Sequence, residues 1–158
     1  MYLHLFKISS EMCIELIPRK ASERAQSING SEVTMNKILS VLVLLPAVLF
    51  VVTGLRWLID PAGIAPEFGL VLGEGLGLSS QVGDMSGFFL TLGICILVAL
   101  VSGRRAWYYP PALLLLLTAV GRVIAWLLHD AALASQIGVE VVVAVILLVA
   151  SRRLAQEA

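Results

Sequence analysis

Four long apolar runs limit what this chain can form. They cover residues 38–58, 85–101, 107–128 and 134–150. Each is about 17 to 22 residues long, close to what an α-helix needs to cross a hydrocarbon core of about 30 Å. Because a bilayer offers no water to satisfy backbone groups, such runs fold as helices. The sequence therefore predicts an all-α integral membrane protein, a four-helix bundle with up-down topology.

The composition of the chain narrows the class further. Charged residues make up 14% of it and the mean hydropathy is +0.95, whereas soluble domains carry roughly 25% charged residues. The formal net charge is zero and no basic run alternates with aromatic residues, which excludes a nucleic-acid partner. The two cysteines, Cys13 and Cys95, are too few for a metal site or a disulfide framework. We expect no metal and no cofactor.

The first 35 residues differ from the rest of the chain. Residues 1–34 are mixed and polar, without a helical stripe or an apolar region of signal-peptide length. "MNKILSVLVLLPAVLF", from Met35, has the short basic start and apolar stretch of a bacterial first membrane helix. We expect residues 1–35 to be a disordered N-terminal extension: residues 1–34 are either a tail or a stretch upstream of a physiological start at Met35. A transmembrane domain over 36–153 and a tail over 154–158 complete the predicted organisation.

Lysine and arginine lie on one side of the predicted bundle. Lys37 precedes the first span, Arg104 and Arg105 lie between the second and third, and Arg152 and Arg153 follow the fourth. The other two loops carry neither residue type. By the positive-inside rule both termini face the cytoplasm. The sequence predicts a multi-pass protein of the bacterial inner membrane, with the lipid bilayer as its first partner.

Polar side chains interrupt the spans near their outward-facing ends. Arg122 and Glu140 lie at similar distances from the turn that joins the third and fourth spans, so antiparallel helices would place them at the same depth. Asp84 opens the second span on that side, while Arg56 and His129 close the first and third. We expect Arg122 to point inward and to pair with Glu140 or Asp84. The candidate ligand-binding residues are Arg122, Glu140, Asp84, Arg56 and His129.

An arginine inside a span is expected to have a partner or a functional role, because inserting an unpaired one costs at least about 2.5–3.5 kcal/mol on insertion scales. Three explanations are open: an ion pair that fixes helix register, a pocket for a small molecule, and proton transfer or catalysis. No catalytic residue is assigned. His129 has no second histidine nearby and is not expected to bind a metal.

The loop over residues 60–84 is rich in glycine yet apolar. Its "GEGLGL" follows no strand and no lysine–serine or lysine–threonine pair closes it, so nucleotide binding is not expected. The loop instead predicts a short interfacial helix over the mouth of the bundle, either a lid or passive cover. Its apolar side chains would dip into the headgroup region. They are Phe68, Leu70, Val71 and Leu72.

Small residues on the second span bear on the oligomeric state. Gly87 and Gly93 suit close helix packing within one chain or between two. A homodimer therefore stays open.

Four segments carry a resemblance to a known family. "RWLIDP" with the following "FGL", "VGDMSGFFLTLG", "GRVIAWLLHD" and the glutamate of "GVEVVVAVIL" resemble domain of unknown function 4345. This is an uncharacterised family of bacterial four-span membrane proteins, distantly similar to the DoxX-type four-helix proteins. The resemblance covers about residues 36–151 and implies the bundle fold, but no activity. It also implies a shared polar set, namely Arg56, Asp84, Arg122 and Glu140.

These observations favour a non-enzymatic membrane protein whose polar cluster binds a small amphipathic ligand or a lipid headgroup. Arg122 would hold the anionic group, and Glu140 and Asp84 would position it. One alternative is an accessory subunit of a membrane redox or lipid-modifying system, although the chain has no CxxC, no paired histidines and no flavin signature. Another is a structural membrane protein with a register-fixing ion pair.

Overall fold

The computed structural model describes residues 32–154 of the chain, and all regular secondary structure in that range is helical. Two short 3-10 helices cover Ala65–Phe68 and Arg105–Tyr108. The predicted all-α class is confirmed. The helices are α1 over Glu32–Ile59, α2 over Pro61–Ile64, α3 over Leu76–Ser102, α4 over Tyr109–Leu128 and α5 over Gln136–Arg153.

Three helical segments are long and apolar enough to cross a membrane: Glu32–Ile59, Leu76–Ser102 and Arg105–Leu128. Helix α5 differs from them in charge. It has 18 residues, of which Glu140 lies in its first half and two arginines lie in its last turn. The three apolar segments indicate a membrane protein.

The chain divides into two units, Met1–Ile38 and Leu39–Ala158. Of the first unit the structure describes residues 32–38, the exposed start of α1. Residues 32–35, which we assigned to the disordered extension, are helical. Glu32 lies in the first turn of α1, where the helix dipole favours a carboxylate. The rest of the predicted extension, and tail residues 155–158, lie outside the described residues.

The core of the second unit draws on all four long helices. Its side chains recur three or four residues apart along each helix, the spacing of a single helical face. The opposite faces carry leucine, valine and isoleucine that remain exposed, as expected of surfaces that meet lipid. The core residues are Leu39, Val43 and Ala47 of α1, Leu92, Ile96 and Ala99 of α3, Ala112 and Leu115 of α4, Val143, Ala144, Leu147 and Ala150 of α5, and Tyr108 of the 3-10 helix before α4.

Gly93 marks the close approach of α1 and α3. A Cβ atom built on Gly93 would lie 2.5 Å from Val51 Cγ2 and 2.8 Å from the carbonyl oxygen of Ala47. Small residues permit this kind of contact between membrane helices. Gly87, by contrast, has open space where a Cβ would stand. Of the two glycines, Gly93 therefore serves packing within the chain.

Asp60 ends α1 and starts α2. Its Oδ1 accepts a hydrogen bond from the Gly63 amide at 3.0 Å, and Pro61 occupies the first turn of α2. An aspartate cap followed by proline is a favourable helix start. The Asp60–Pro61 pair thus separates the two helices.

The segment before α3 is held by Gln81. The Gly73 amide donates to its Oε1 at 2.7 Å, and its Nε2 donates to the Val71 carbonyl at 3.0 Å. Helix α3 itself begins at Leu76, nine residues before the predicted apolar span. At 1.5 Å per residue its 27 residues extend about 40 Å, beyond a hydrocarbon core of about 30 Å. Hydropathy therefore located only the C-terminal part of this helix.

Most apolar side chains of the loop between α1 and α3 pack against other protein side chains. Trp57 is fully buried together with Ile64 and Ala65, and Phe68, Leu70 and Leu72 pack against this cluster. Val71, in contrast, is 89% exposed. The loop forms two short helices, α2 and the 3-10 helix after it, but Leu70, Val71 and Leu72 follow them without regular structure. Phe68, Leu70 and Leu72 cover the end of α1 rather than reach outward as predicted.

Candidate functional site

Arg122 and Glu140 join α4 to α5. Arg122 Nε donates to Glu140 Oε1 at 2.8 Å, which confirms the predicted pairing. Arg122 lies six residues before the end of α4 and Glu140 four after the start of α5, about 9 Å and 6 Å along the helix axes. The pair therefore lies near one end of the packed helices.

The two partners differ in burial. The side chain of Glu140 is 11% exposed and that of Arg122 33%. Glu140 Oε2 is buried and has no hydrogen-bond partner. A carboxylate that keeps one oxygen unpaired in such surroundings depends strongly on its single cationic neighbour. Glu140 is thus held in place by Arg122, and it fixes the direction of the guanidinium in return.

The guanidinium of Arg122 retains donors that the protein does not use. Its fork presents five N–H groups, and within residues 32–154 only Nε has a protein partner. The two terminal nitrogens are left to face their surroundings. Arg122 also lines two cavities.

The first cavity has a volume of about 320 Å³ and lies among α1, α3, α4 and α5. Its walls are mostly apolar, and its polar lining comes from Thr53, Arg122, Gln136 and Glu140. Two of its lining residues, Leu49 and Val139, are 55% and 63% exposed. The cavity therefore opens to the outer surface of the helices.

The second cavity has a volume of about 340 Å³ and lies between α3, α4 and the loop before α3. The loop supplies Phe68 and Leu70, α3 supplies Asp84 and Met85, and α4 supplies Thr118. Because Phe68 and Leu70 also pack on the Trp57 cluster, the loop forms part of this wall.

Three phenylalanines are common to the two cavities. Phe68, Phe88 and Phe89 line both of them. The Phe89 ring lies 5.3 Å from Phe68 and 5.2 Å from Phe88, centroid to centroid, within the range of favourable aromatic pairs. Besides these rings, the two cavities share Arg122, which is the charged residue common to both.

Asp84 lies beside Arg122 without pairing to it. It is exposed and lines the second cavity, but forms no ion pair with Arg122, whose partner is Glu140. Of the five candidate residues, Arg122 contacts Glu140 directly and shares the second cavity with Asp84.

Arg56 and His129 lie elsewhere. Arg56 pairs with Glu67 through both terminal nitrogens, Nη2–Oε1 at 2.8 Å and Nη1–Oε2 at 3.1 Å. His129 is exposed and follows the last residue of α4, with its amide donating to the Ala125 carbonyl at 3.0 Å. Neither residue lines the two cavities described above.

Glu67 was not among the candidate residues predicted from the sequence. It stands 11 residues after Arg56 in the loop, where neither helical spacing nor the depth argument relates the two. The fold brings them together because α2 and the 3-10 helix turn the chain back over the end of α1. The "FGL" segment after Glu67 packs against the end of α1. Its apolar residues were a sequence signal that could have indicated this chain reversal.

The Arg56–Glu67 pair makes stability depend on pH. The hydrogen bond from Arg56 lowers the pKa of Glu67 below its usual value. A carboxyl group with a lowered folded-state pKa stabilises the fold above its unfolded pKa of about 4.3 and loses that contribution as the pH falls through the folded value. We expect the thermal midpoint of the wild type to exceed that of Glu67→Gln slightly at pH 7, because the pair is exposed.

The thermal midpoints of the wild type and Glu67→Gln should also be compared at acid pH. The difference between the two midpoints should shrink as the pH falls below about 4, where Glu67 becomes protonated. A difference that is constant from pH 7 to pH 3, measured by thermal unfolding in neutral detergent, would contradict the assignment.

Within residues 32–154 no group of three or more histidine, cysteine, aspartate or glutamate side chains is placed to hold a metal ion. Comparison with known proteins adds no further assignment: no family model matches the chain, nor does any curated protein or solved structure with which it was compared.

Proposed function

We propose that this protein is a multi-pass protein of the bacterial inner membrane that binds an anionic amphiphile at Arg122. Four spans would form an up-down bundle with both termini in the cytoplasm, and the Arg122 end would face outward. The role is binding rather than catalysis. The resemblance to the uncharacterised four-span family stays a prediction.

Helix α5 is suited to serve as the fourth span. Its 18 residues extend about 27 Å, close to the thickness of the hydrocarbon core. Arg152 and Arg153 lie in the last turn, where long side chains reach the headgroups. Only Glu140 remains at depth, and Arg122 neutralises it. These features support a spanning helix with a single internal charge.

One observation carries the binding proposal: Arg122 lines two largely apolar cavities and keeps donors that no described residue uses. A guanidinium binds a carboxylate or a phosphate through two parallel hydrogen bonds. Apolar walls beside such a group favour a ligand with an anionic head and a hydrocarbon body. Glu140 is then a positioning residue, and Asp84 at the second cavity would meet a donor group on the headgroup.

A register-fixing role for the same ion pair is the rival, favoured by the burial of Glu140. The two roles make different demands. A pair that only fixes register needs no free donors and no adjoining space. A binding site needs both, and Arg122 has both.

The proposal can be tested with single-chain probes in neutral maltoside detergent. We expect dodecyl phosphate to raise the thermal midpoint of the wild type by several degrees near saturation, since a ligand at 100 times its Kd stabilises by about 2.7 kcal/mol. Dodecanol, which lacks the anionic group, should not raise it. The double variant Arg122→Gln/Glu140→Gln should lose the response without leaving an unpaired charge.

The chain offers a matched control. Arg56→Gln/Glu67→Gln removes the other arginine–glutamate pair, which lines neither cavity, and should keep the full response. An equal response to dodecanol, or a full response in Arg122→Gln/Glu140→Gln, would overturn the proposed site.

A further inference from the structure

The two cavities form one site with two arms. They have nearly equal volumes, about 320 and 340 Å³, and both are lined by Arg122 and by the same three phenylalanines. Apart from these shared residues, Thr53 belongs to the first arm and Thr118 to the second. A ligand bound at Arg122 therefore meets largely apolar space on two sides, and in the second arm it also meets Asp84.

A ligand with one hydrocarbon chain would fill only one arm. The other arm would stay apolar and unfilled, and its walls would lose the favourable contacts that packed apolar surfaces make. A ligand with two chains attached near one anionic group would fill both. The geometry thus discriminates between amphiphiles by the number of their chains.

We infer that the ligand is an anionic phospholipid with two acyl chains. Its phosphate contacts the free terminal nitrogens of Arg122, and one acyl chain enters each arm. This inference rests on the proposed function and names the class of ligand. Phosphate alone is the other source of the same headgroup chemistry, and it would use neither arm.

The openings of the site agree with a lipid from the surrounding leaflet. The first arm is bordered by Leu49 and Val139, which are more than half exposed on the outer faces of α1 and α5. The ion pair lies about 6–9 Å inside the helix ends, toward one end of the span rather than at its centre. A lipid can therefore enter sideways without leaving the membrane.

The test is a competition between phosphatidic acid and lysophosphatidic acid of the same chain type. The purified protein in neutral detergent receives an equimolar mixture, and native mass spectrometry counts the bound species. We expect the wild type to retain the two-chain lipid at least about tenfold over the one-chain lipid, because burying even two additional methylenes changes an equilibrium constant by about that factor. Inorganic phosphate should bind to neither the wild type nor the variants.

Two matched substitutions address the arms separately. Thr53→Phe fills the first arm and Thr118→Phe the second, and each should bring the ratio of the two lipids toward one. Val120→Phe adds a phenylalanine on α4 at a residue that is 54% exposed. It should leave the ratio of the two lipids unchanged.

The outcomes separate this inference from the proposed function. A wild-type ratio near one, with both lipids lost from Arg122→Gln/Glu140→Gln, would overturn the two-chain ligand and leave anion binding intact. A high ratio unaffected by both threonine substitutions would also overturn it. Full capture of both lipids by Arg122→Gln/Glu140→Gln would overturn the proposed function and this inference together.

Discussion

Replacing Gly93 by alanine is expected to destabilise the protein by about 1–3 kcal/mol, the usual cost of an extra methylene in a filled interior. The new Cβ would stand 2.5 Å from Val51 Cγ2 and 2.8 Å from the Ala47 carbonyl oxygen. A side-chain methyl can move slightly, but the Ala47 oxygen belongs to the backbone of α1. Helices α1 and α3 would have to separate. Thermal unfolding in detergent measures the effect.

The matched control lies on the same helix. Gly87→Ala adds the same methyl group into open space and gains helix propensity, so we expect it to be neutral or slightly stabilising. Equal midpoints for Gly93→Ala and Gly87→Ala would show that the close contact of α1 and α3 does not exist.

Breaking the Arg122–Glu140 pair is the second large effect. Arg122→Gln leaves Glu140 without a cation in a setting where its Oε2 already lacks a partner. Removing one partner of a buried ion pair costs about 3–5 kcal/mol. We expect Arg122→Gln to destabilise the protein by about 2–3 kcal/mol, because the side chain of Arg122 is itself one-third exposed. Glu140→Gln should cost less, since the arginine can reach toward water or headgroups.

The double variant makes this prediction specific. Arg122→Gln/Glu140→Gln removes both charges and lets two amides hydrogen-bond, so it should recover most of the stability lost in Arg122→Gln. A double-mutant cycle of thermal midpoints then reports the coupling of the pair. Additive losses would mean that the two side chains do not interact in the membrane.

The apolar helices and the Arg122–Glu140 pair could be predicted from the sequence, because each depends on local information. Continuous hydrophobicity gives a helix in lipid whatever its partners. The distances of Arg122 and Glu140 from one turn place them at one depth. Neither inference requires knowledge of how distant segments pack.

The parts that escaped prediction depend on the path of the loop between α1 and α3. The pairing of Arg56 with Glu67 and the bonds of Gln81 to the loop backbone arise from a chain reversal that no hydropathy pattern encodes. The aromatic wall escaped for a related reason: Phe68 comes from the loop, whereas Phe88 and Phe89 come from α3. A phenylalanine in a membrane helix gives no sign of whether it faces lipid or a cavity.

His129 shows the limit of reasoning from depth alone. It lies at the end of α4 on the same side as Arg122, and depth placed it in the cluster. It is seven residues beyond Arg122, about 10 Å along the axis, and the helix has already ended there. Residues at the same end of a bundle therefore need not share a site when they differ by about 10 Å along the helix axis.

The measurement that tests the central claim most directly is native mass spectrometry of the protein extracted from the membrane in which it was made. The wild type should carry one anionic two-chain lipid per chain, and Arg56→Gln/Glu67→Gln should carry the same. Arg122→Gln/Glu140→Gln, shown to be folded by its thermal transition, should carry none. A wild type without lipid, or a double variant at Arg122 and Glu140 that is loaded equally, would contradict a lipid site at Arg122 and assign the ion pair to helix register alone.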